Sequence, residues 1–498
     1  MTSKIKKNND VFIVSLVITV AVVLWGVVSP KSFETAANSA FGYLTGSFGW
    51  LYLISVTLFV FFCIWVALSK YGKIRLGADD STPEFSTLSW FSMLFSAGMG
   101  IGLVFWGVAE PLYHYASPIA GIEKGTAEAA NFAIRKSFLH WGIHPWACYG
   151  VLALALAYMQ FRKGKPGLIS CIFIPLLGEE IVKGWVGKTI DILAIFATIA
   201  GVATSMGLGA MQISAGLNYV YGIPNNVALK VIIIVVVTVA FIASAISGLN
   251  KGIKYLSNFN VSVAAILMII CFIAGPTVLI LSTFSQGLGL YLDRILVDSL
   301  RLNPYAEGGA KDWFGWWTIF YWAWWIAWAP FVGVFIARIS KGRTIRQFIV
   351  GVIFAPSLAS FIWFSIFGAM GINLGLETAT LAIKDTSTAF FVVMAQYPLG
   401  TLLSLTAVVL LCSFFVTSAD SATFVLGMLS SHGDLEPPVA RKVIWGCVQT
   451  GLALVLLLAT ANGLKMLQTA SIVAAFPFAF IMLAAMVSMV KALKSENV

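Results

Sequence analysis

The chain has 498 residues, 59% of them hydrophobic and only 10% charged, with a mean hydropathy of +0.91 and a formal charge of +10. A soluble globule of that length must still present a polar surface, which this composition cannot supply. Apolar runs of about 20 residues recur throughout, each enough to cross hydrocarbon, so the fold class is an all-α polytopic membrane protein; a β-barrel, with its weak ten-residue alternation, is excluded.

The apolar segments fall near 11–29, 49–69, 87–109, 138–160, 188–217, 228–248, 257–283, 313–337, 346–370, 398–429, 440–459 and 468–490, which predicts twelve transmembrane helices. The first run, Val11–Val28, has no small-residue cleavage site after it and reads as a retained helix. With Lys4, Lys6 and Lys7 placed in the cytoplasm, 21 of the 31 basic residues fall in inside loops. That asymmetry follows the positive-inside rule and puts both termini in the cytoplasm. The positive charge is therefore an orientation signal, and no nucleic-acid partner is expected. Six cysteines (Cys63, Cys148, Cys171, Cys271, Cys412 and Cys447) lie in apolar runs without metal or redox spacing and read as small buried hydrophobes.

The third segment contains FSAGMGIGLVFWG, with Gly98, Gly100 and Gly102 at alternate positions. Each Gly costs roughly 1 kcal/mol of helix propensity against Ala. Local unwinding is one reading, since freed backbone in hydrocarbon is tolerated where it lines a cavity and transporters bind ligands at such breaks. Close helix packing through small residues is the other. The fourth segment carries HWGIHPWACY, with Trp141, Trp146 and Tyr149; on one continuous helix Trp141 and Tyr149 would be offset by about 80°. His114, His140, His144 and His432 show no metal-ligand spacing. Glu110, Asp191 and Asp420 are charges within or beside spans, each close enough to a helix end or a polar cluster for capping to explain it.

Two connections look amphipathic: Leu168–Val182, and Ser285–Leu302, in which Asp293, Arg294, Asp298 and Arg301 alternate with apolar residues. The second is expected to lie along the membrane interface or to form an oligomer contact. The eighth segment reads IFYWAWWIAWAPF. Trp324, Trp325 and Trp328 share a helix face, Trp322 points elsewhere, and Trp313, Trp316 and Trp317 suit an interfacial aromatic belt. Trp325 and Trp328 lie too deep for anchors. Several indole faces suit a quaternary ammonium, which has charge but no N–H, each contact contributing about 0.5–2 kcal/mol when desolvated. With no acidic residue expected at the site, the ligand should bring its own negative charge, as a zwitterion does. The tenth segment holds SFFVTSADSATF, a hydroxyl cluster that suits either interhelical hydrogen bonds or a hard cation.

The stretches GMGIGLVFWGVAEPL, HWGIHPWACY, YWAWWIAWAPFVGVFIARISKGRT and FFVTSADSATF together resemble the betaine/carnitine/choline transporter family, over essentially the whole chain. The resemblance implies two peripheral helices (11–69) after a cytoplasmic segment (1–10), then two inverted five-helix repeats (70–283 and 313–490) separated by the amphipathic connection (284–312), a short cytoplasmic tail (491–498), and a homotrimer in the plasma membrane. It implies that Trp141, Trp146, Tyr149 and Trp325 box a trimethylammonium group, that Trp324 and Trp328 line the site and its cytoplasmic exit, and that the backbone of Gly98, Gly100 and Gly102 faces a carboxylate. One Na⁺ site would use the carbonyls of Ser96, Met99 and Phe414 with the hydroxyls of Thr417 and Ser418. A second would use Thr198 and Phe331, but its other threonine is Val202 here, which offers no side-chain oxygen. Asn260 stands where Na⁺-independent carnitine exchangers carry Arg, and Gly102 where choline carriers often carry Asp. The expectation is thus a Na⁺-coupled glycine betaine importer working by alternating access, with choline or carnitine transport as the alternative. Na⁺ is the coupling ion, and neither a cofactor nor an enzymatic activity is expected. A tail of eight residues leaves little for a tail-based osmosensor. A channel would need a polar pore lining, and a sensor an output domain.

Overall fold

The computed structural model describes residues 9–98, 100–247, 250–305, 313–458 and 463–496; the side chains of 95–98, 247 and 250–254 also lie outside the description. The described residues are predominantly helical, with no strand among them. The principal helices are α1 (Asp10–Val28), α2 (Pro30–Leu68), α3 (Thr87–Gly98), α4 (Ile101–Ala116), α5 (Ala127–Trp141), α6 (Ile143–Ala157), α7 (Trp185–Tyr221), α8 (Val227–Ser247), α9 (Asn250–Ala274), α10 (Thr277–Leu300), α11 (Phe320–Ile339), α12 (Ile345–Asn373), α13 (Gly400–Leu429), α14 (Val439–Leu458) and α15 (Gly463–Lys494). Among the described residues, eleven helices, with α5 and α6 taken as one, are long and apolar enough to cross a membrane.

Helix breaks account for the differences from the segments read in sequence. The segment 87–109 is two helices, α3 and α4, with the backbone of Gly100 extended between them. The segment 138–160 is also two, because Gly142 leaves the helical region. A Cβ on Gly142 would lie 2.5 Å from the Phe138 carbonyl oxygen and 2.6 Å from the Phe361 ring, so only glycine fits the turn. Pro145 follows in the first turn of α6, where its missing N–H leaves no hydrogen bond unmade. The seventh segment ends nine residues before 283, since Gly275-Pro276 separates α9 from α10. Helix α2 runs for 39 residues, well beyond 49–69.

Burial divides centre from periphery. In the most apolar stretch of α1 only 17% of residues are buried, in α8 28% and in α9 22%; in the α5–α6 stretch and in the stretch ending with α11 the share is 94%. Helix α11 packs on α6, α7 and α15, and α7 packs in turn on α13 and α15. The aromatic segment is therefore the centre of the molecule. A π-turn at Gly315–Ile319 leads into α11.

Helix α10 buries the two polar residues near its C-terminal end, Asp298 and Ser299, while Asp293 and Arg294 stay exposed. Asp298 is buried and pairs with Arg135 at 2.8 Å and Lys136 at 3.0 Å. Ser299 hydrogen-bonds His144 at 2.7 Å, and the Tyr291 hydroxyl accepts from the Ile143 N–H at 3.4 Å. Leu292, Leu296, Val297 and Leu300 stay exposed. The amphipathic helix thus docks on the α5–α6 break. Five of the six cysteines are buried or half-buried, and Cys447 is exposed, contrary to the sequence reading.

At the opposite end, Glu496 closes the chain onto α6. Its carboxylate accepts from Arg162 at 2.7 Å, Lys163 at 2.7 Å and the Tyr158 hydroxyl at 2.7 Å. Arg162 also reaches Asp79 at 2.7 Å. The Arg162 hydrogen bonds lower the Glu496 pKa from an ordinary 4.5 to about 2. A lowered carboxyl contributes stability above its unfolded value and loses it as pH falls toward the folded one. We expect the melting temperature of the wild type to fall more steeply between about pH 5 and 2 than that of Glu496→Gln, as read by scanning fluorimetry in detergent.

Candidate functional site

The aromatic residues singled out in sequence converge. Trp325 on α11 meets Trp141, at the last position of α5, with ring centres 4.9 Å apart and planes at 75°. It meets Tyr149 on α6 at 6.2 Å and 82°, and Tyr149 meets Trp146 at 5.7 Å and 85°. Trp324 stacks beside Trp325 at 4.9 Å and stands edge-on to Trp141 at 6.2 Å. Trp328 continues the row one turn on, 6.3 Å from Trp324 and 5.6 Å from Phe331. All six ring residues named as substrate contacts are buried. Trp141 and Tyr149 do not share one helix, as the sequence reading assumed; the break at Gly142 separates them, and both still reach Trp325.

Gly102 on α4 sits directly against this cluster. A Cβ there would lie 2.6 Å from Trp324 Cη2 and 3.0 Å from Trp141 Cη2. The position demands glycine for close approach, whatever its helix propensity. Gly100 lies at the break itself, where a Cβ would come 3.5 Å from Ser418 Oγ. The side chain of Ser96 and the structure of Met99 lie outside the described residues, and Gly98 is the last residue of α3.

On α13, Thr417 and Ser418 are half-buried and Phe414 is buried. Thr417 Oγ1 donates toward the carbonyls of Ser413 and Phe414, at 3.0 and 3.1 Å, and accepts from Asn260 Nδ2 at 3.1 Å. Of the α13 oxygens, the Ser418 hydroxyl faces the α3–α4 break at Gly100, while Thr417 faces Asn260 of α9. Thr198 on α7 is buried, with its hydroxyl donated to its own helix at Ala194 O, 2.8 Å. Residue 201, three further along, abuts Ala327 and Trp328 of α11. Val202 next to it and Phe331 are both apolar and buried.

Sequence reading missed Glu110. It lies inside α4, not at an end, and is fully buried. Its Oε2 accepts from the Tyr321 hydroxyl at 2.5 Å and the Trp141 indole N–H at 2.9 Å; its Oε1 meets His140 Nδ1 at 2.6 Å and His114 Nε2 at 3.3 Å. His140 Nε2 meets the Thr318 hydroxyl at 3.0 Å. Thus a carboxylate does stand beside the aromatic site, one layer behind Trp141. Glu110 and His114 are four apart on one helix face, a signal available in sequence, but only the fold adds His140. Their ligand atoms lie within 4.8 Å of one another. Both carboxylate oxygens are already taken by hydrogen bonds, which makes the cluster a network first. Asp191 and Asp420 keep local roles: Asp191 accepts from Ser170 N and Oγ, and Asp420 from Ser244 Oγ.

Trp313 and Trp317 are buried and are not belt residues. With Trp106, Tyr113, Trp316 and Lys465 they line a cavity of about 580 Å³. From it, rings step along α11 to the box: Trp317 to Tyr321 at 6.3 Å, and Tyr321 to Trp325 at 5.9 Å. Trp322 points away from that row and stacks on His144 at 5.0 Å.

Comparison with known proteins now decides the family. Residues 10–498 match the model of the betaine/carnitine/choline family transporters. The chain belongs to the betaine/carnitine/choline transporter family. It is 50% identical over 494 residues to the glycine betaine transporter OpuD of Bacillus subtilis, covering 99% of this chain and 96% of that one. It is 47% identical to a probable glycine betaine transporter of Desulfitobacterium hafniense, over 99% of each chain. It is 43% identical to an ectoine/hydroxyectoine transporter of Virgibacillus pantothenticus, over 98% of this chain and 96% of the relative. As a member of this transporter family, it is a multi-pass membrane protein.

The clearance at Gly102 is directly testable. Gly102→Val would force Trp324 and Trp141 apart, and we expect glycine betaine binding, read by tryptophan fluorescence, to weaken by at least about tenfold. Unchanged affinity in a folded variant would show that those rings are not part of the site.

Proposed function

We propose that this protein imports glycine betaine, or a closely similar trimethylammonium zwitterion, across the cell membrane in symport with Na⁺. One observation carries the substrate assignment. The aromatic box formed by Trp141, Trp146, Tyr149 and Trp325 adjoins three buried donors with no hydrogen-bond partner: the Tyr149 hydroxyl and the indole N–H groups of Trp324 and Trp328. Ring faces suit a methylated cation, and unpartnered donors suit a carboxylate. A ligand that carries both groups one methylene apart satisfies both halves. The names of the relatives point the same way. Choline has no carboxylate for those donors, and Gly102 leaves no room for an acidic side chain that would favour it.

For Na⁺, the carbonyl of Phe414 and the hydroxyls of Thr417 and Ser418 would supply hard oxygen donors, with the carbonyls of Ser96 and Met99 completing the set by the family resemblance. Thr198 and Phe331 would form a second site lacking an oxygen at Val202. Na⁺ bridging α3–α4 and α13 would favour an outward-open form; it must bind that form more tightly than the inward one to shift the balance. The cavity lined by Trp313 and Trp317 then serves as the outer vestibule, and the row Trp317–Tyr321–Trp325–Trp328 as the route inward. In this reading α3 and α4 make one interrupted pass, giving twelve. The passes after α2 form two inverted five-helix repeats that rock about the box, both termini are cytoplasmic, and three copies assemble.

Uptake of radiolabelled glycine betaine into proteoliposomes, with and without an inward Na⁺ gradient, tests this. We expect gradient-dependent accumulation, and a raised Na⁺ requirement in Thr417→Val. Equal uptake without the gradient would reject coupling. Competition by unlabelled choline, carnitine and ectoine separates the substrate from its relatives' substrates.

A further inference from the structure

Glu110 is a fully buried carboxylate that contacts no ligand position, yet two rings of the box depend on its network. It takes the Trp141 indole N–H directly. Through His140, whose carbonyl oxygen accepts the Trp325 indole N–H at 2.9 Å, the same network fixes the second ring. The hydrogen-bond geometry accommodates an anionic carboxylate. His140 can donate Nδ1–H to Glu110 while Nε2 accepts from Thr318, and His114 can donate Nε2–H while Nδ1 goes without a partner. Two neutral imidazoles, a phenol and an indole then give four donors to one anionic carboxylate, the number its oxygens can accept. A buried charge so served is tolerable without a neutralising cation.

We propose that Glu110 is an electrostatic positioning residue for the aromatic box. An N–H donated to an anion pushes electron density into the indole, making the Trp141 face more negative where the trimethylammonium group rests. Glu110 thereby selects for positive charge without touching the ligand, and its second effect is to lock the Trp141 and Trp325 orientations. This rests on the reading that the box takes a trimethylammonium group.

The test compares two ligands of one shape. Glycine betaine and 3,3-dimethylbutanoate differ only in nitrogen against carbon at the branched centre, so the ratio of their dissociation constants isolates the charge. Wild type should bind betaine more tightly; if it binds neither, the reading of the box itself fails before any variant is made. In Glu110→Gln, which keeps the volume and one acceptor, we expect betaine to weaken by about tenfold and dimethylbutanoate by less than about twofold. Glu110→Asp, which retains the charge, should weaken both ligands and keep the ratio. Unchanged affinities in Glu110→Gln, or an equal loss for both ligands, would overturn the proposal. Should Glu110→Gln not fold, replacing Trp141 by 2-naphthylalanine removes the N–H and leaves the carboxylate; an unchanged ratio there overturns it equally.

Discussion

The edge-to-face meeting of Trp325 with Trp141, 4.9 Å between ring centres, is the contact on which the rest of the site depends. Each ring comes from a different helix, and each is fixed by its indole N–H: one on the His140 carbonyl, the other on Glu110. Neither ring is free to collapse onto its neighbour. That is how a cluster of large side chains in a packed protein interior can keep faces available for a ligand. The two helix breaks serve the same end. The break at Gly142 lets α5 deliver Trp141 while α6 delivers Trp146 and Tyr149, and the α3–α4 break sits just before Gly102, the only residue small enough to pass between Trp324 and Trp141.

The surroundings distribute the load. Helices α7 and α11 are buried at the centre, while α1, α8 and α9 show most of their surface outward. Ion pairs concentrate at the two ends. Arg135, Lys136 and Asp298 pin α10 beside the Gly142 break, and Glu496, Arg162 and Lys163 close the other end. Between them the polar contacts are mostly single hydrogen bonds from Ser and Thr to their own helix, which suits a medium that offers no water. Glu110 with its histidines is the densest departure from that pattern, and it stands beside the aromatic cluster.

The membrane class and the aromatic cluster at the centre were legible in the sequence for separate reasons. Length and hydropathy bound the first, because a bilayer sets the run of apolar residues. The unusual density of Trp bound the second, because lipid does not require it. What sequence left out is tertiary. Gly142 carries no signal that distinguishes a helix break from close packing, so Trp141 and Tyr149 looked like residues of one helix. Trp313 and Trp317 have the composition of membrane anchors and are instead the walls of a cavity. Glu110 looked like a residue near a helix end; its four donors come from three separate helices, α4, α5 and α11, and no spacing rule reaches that far.

The central claim is that indole faces hold a methylated cation. Its most direct measurement is glycine betaine affinity, by equilibrium binding to purified protein, in Trp325→Leu checked for an unchanged elution profile and melting curve. Loss of one desolvated face and its hydrogen bond should weaken binding by at least about tenfold. Wild-type affinity in that variant would contradict the account.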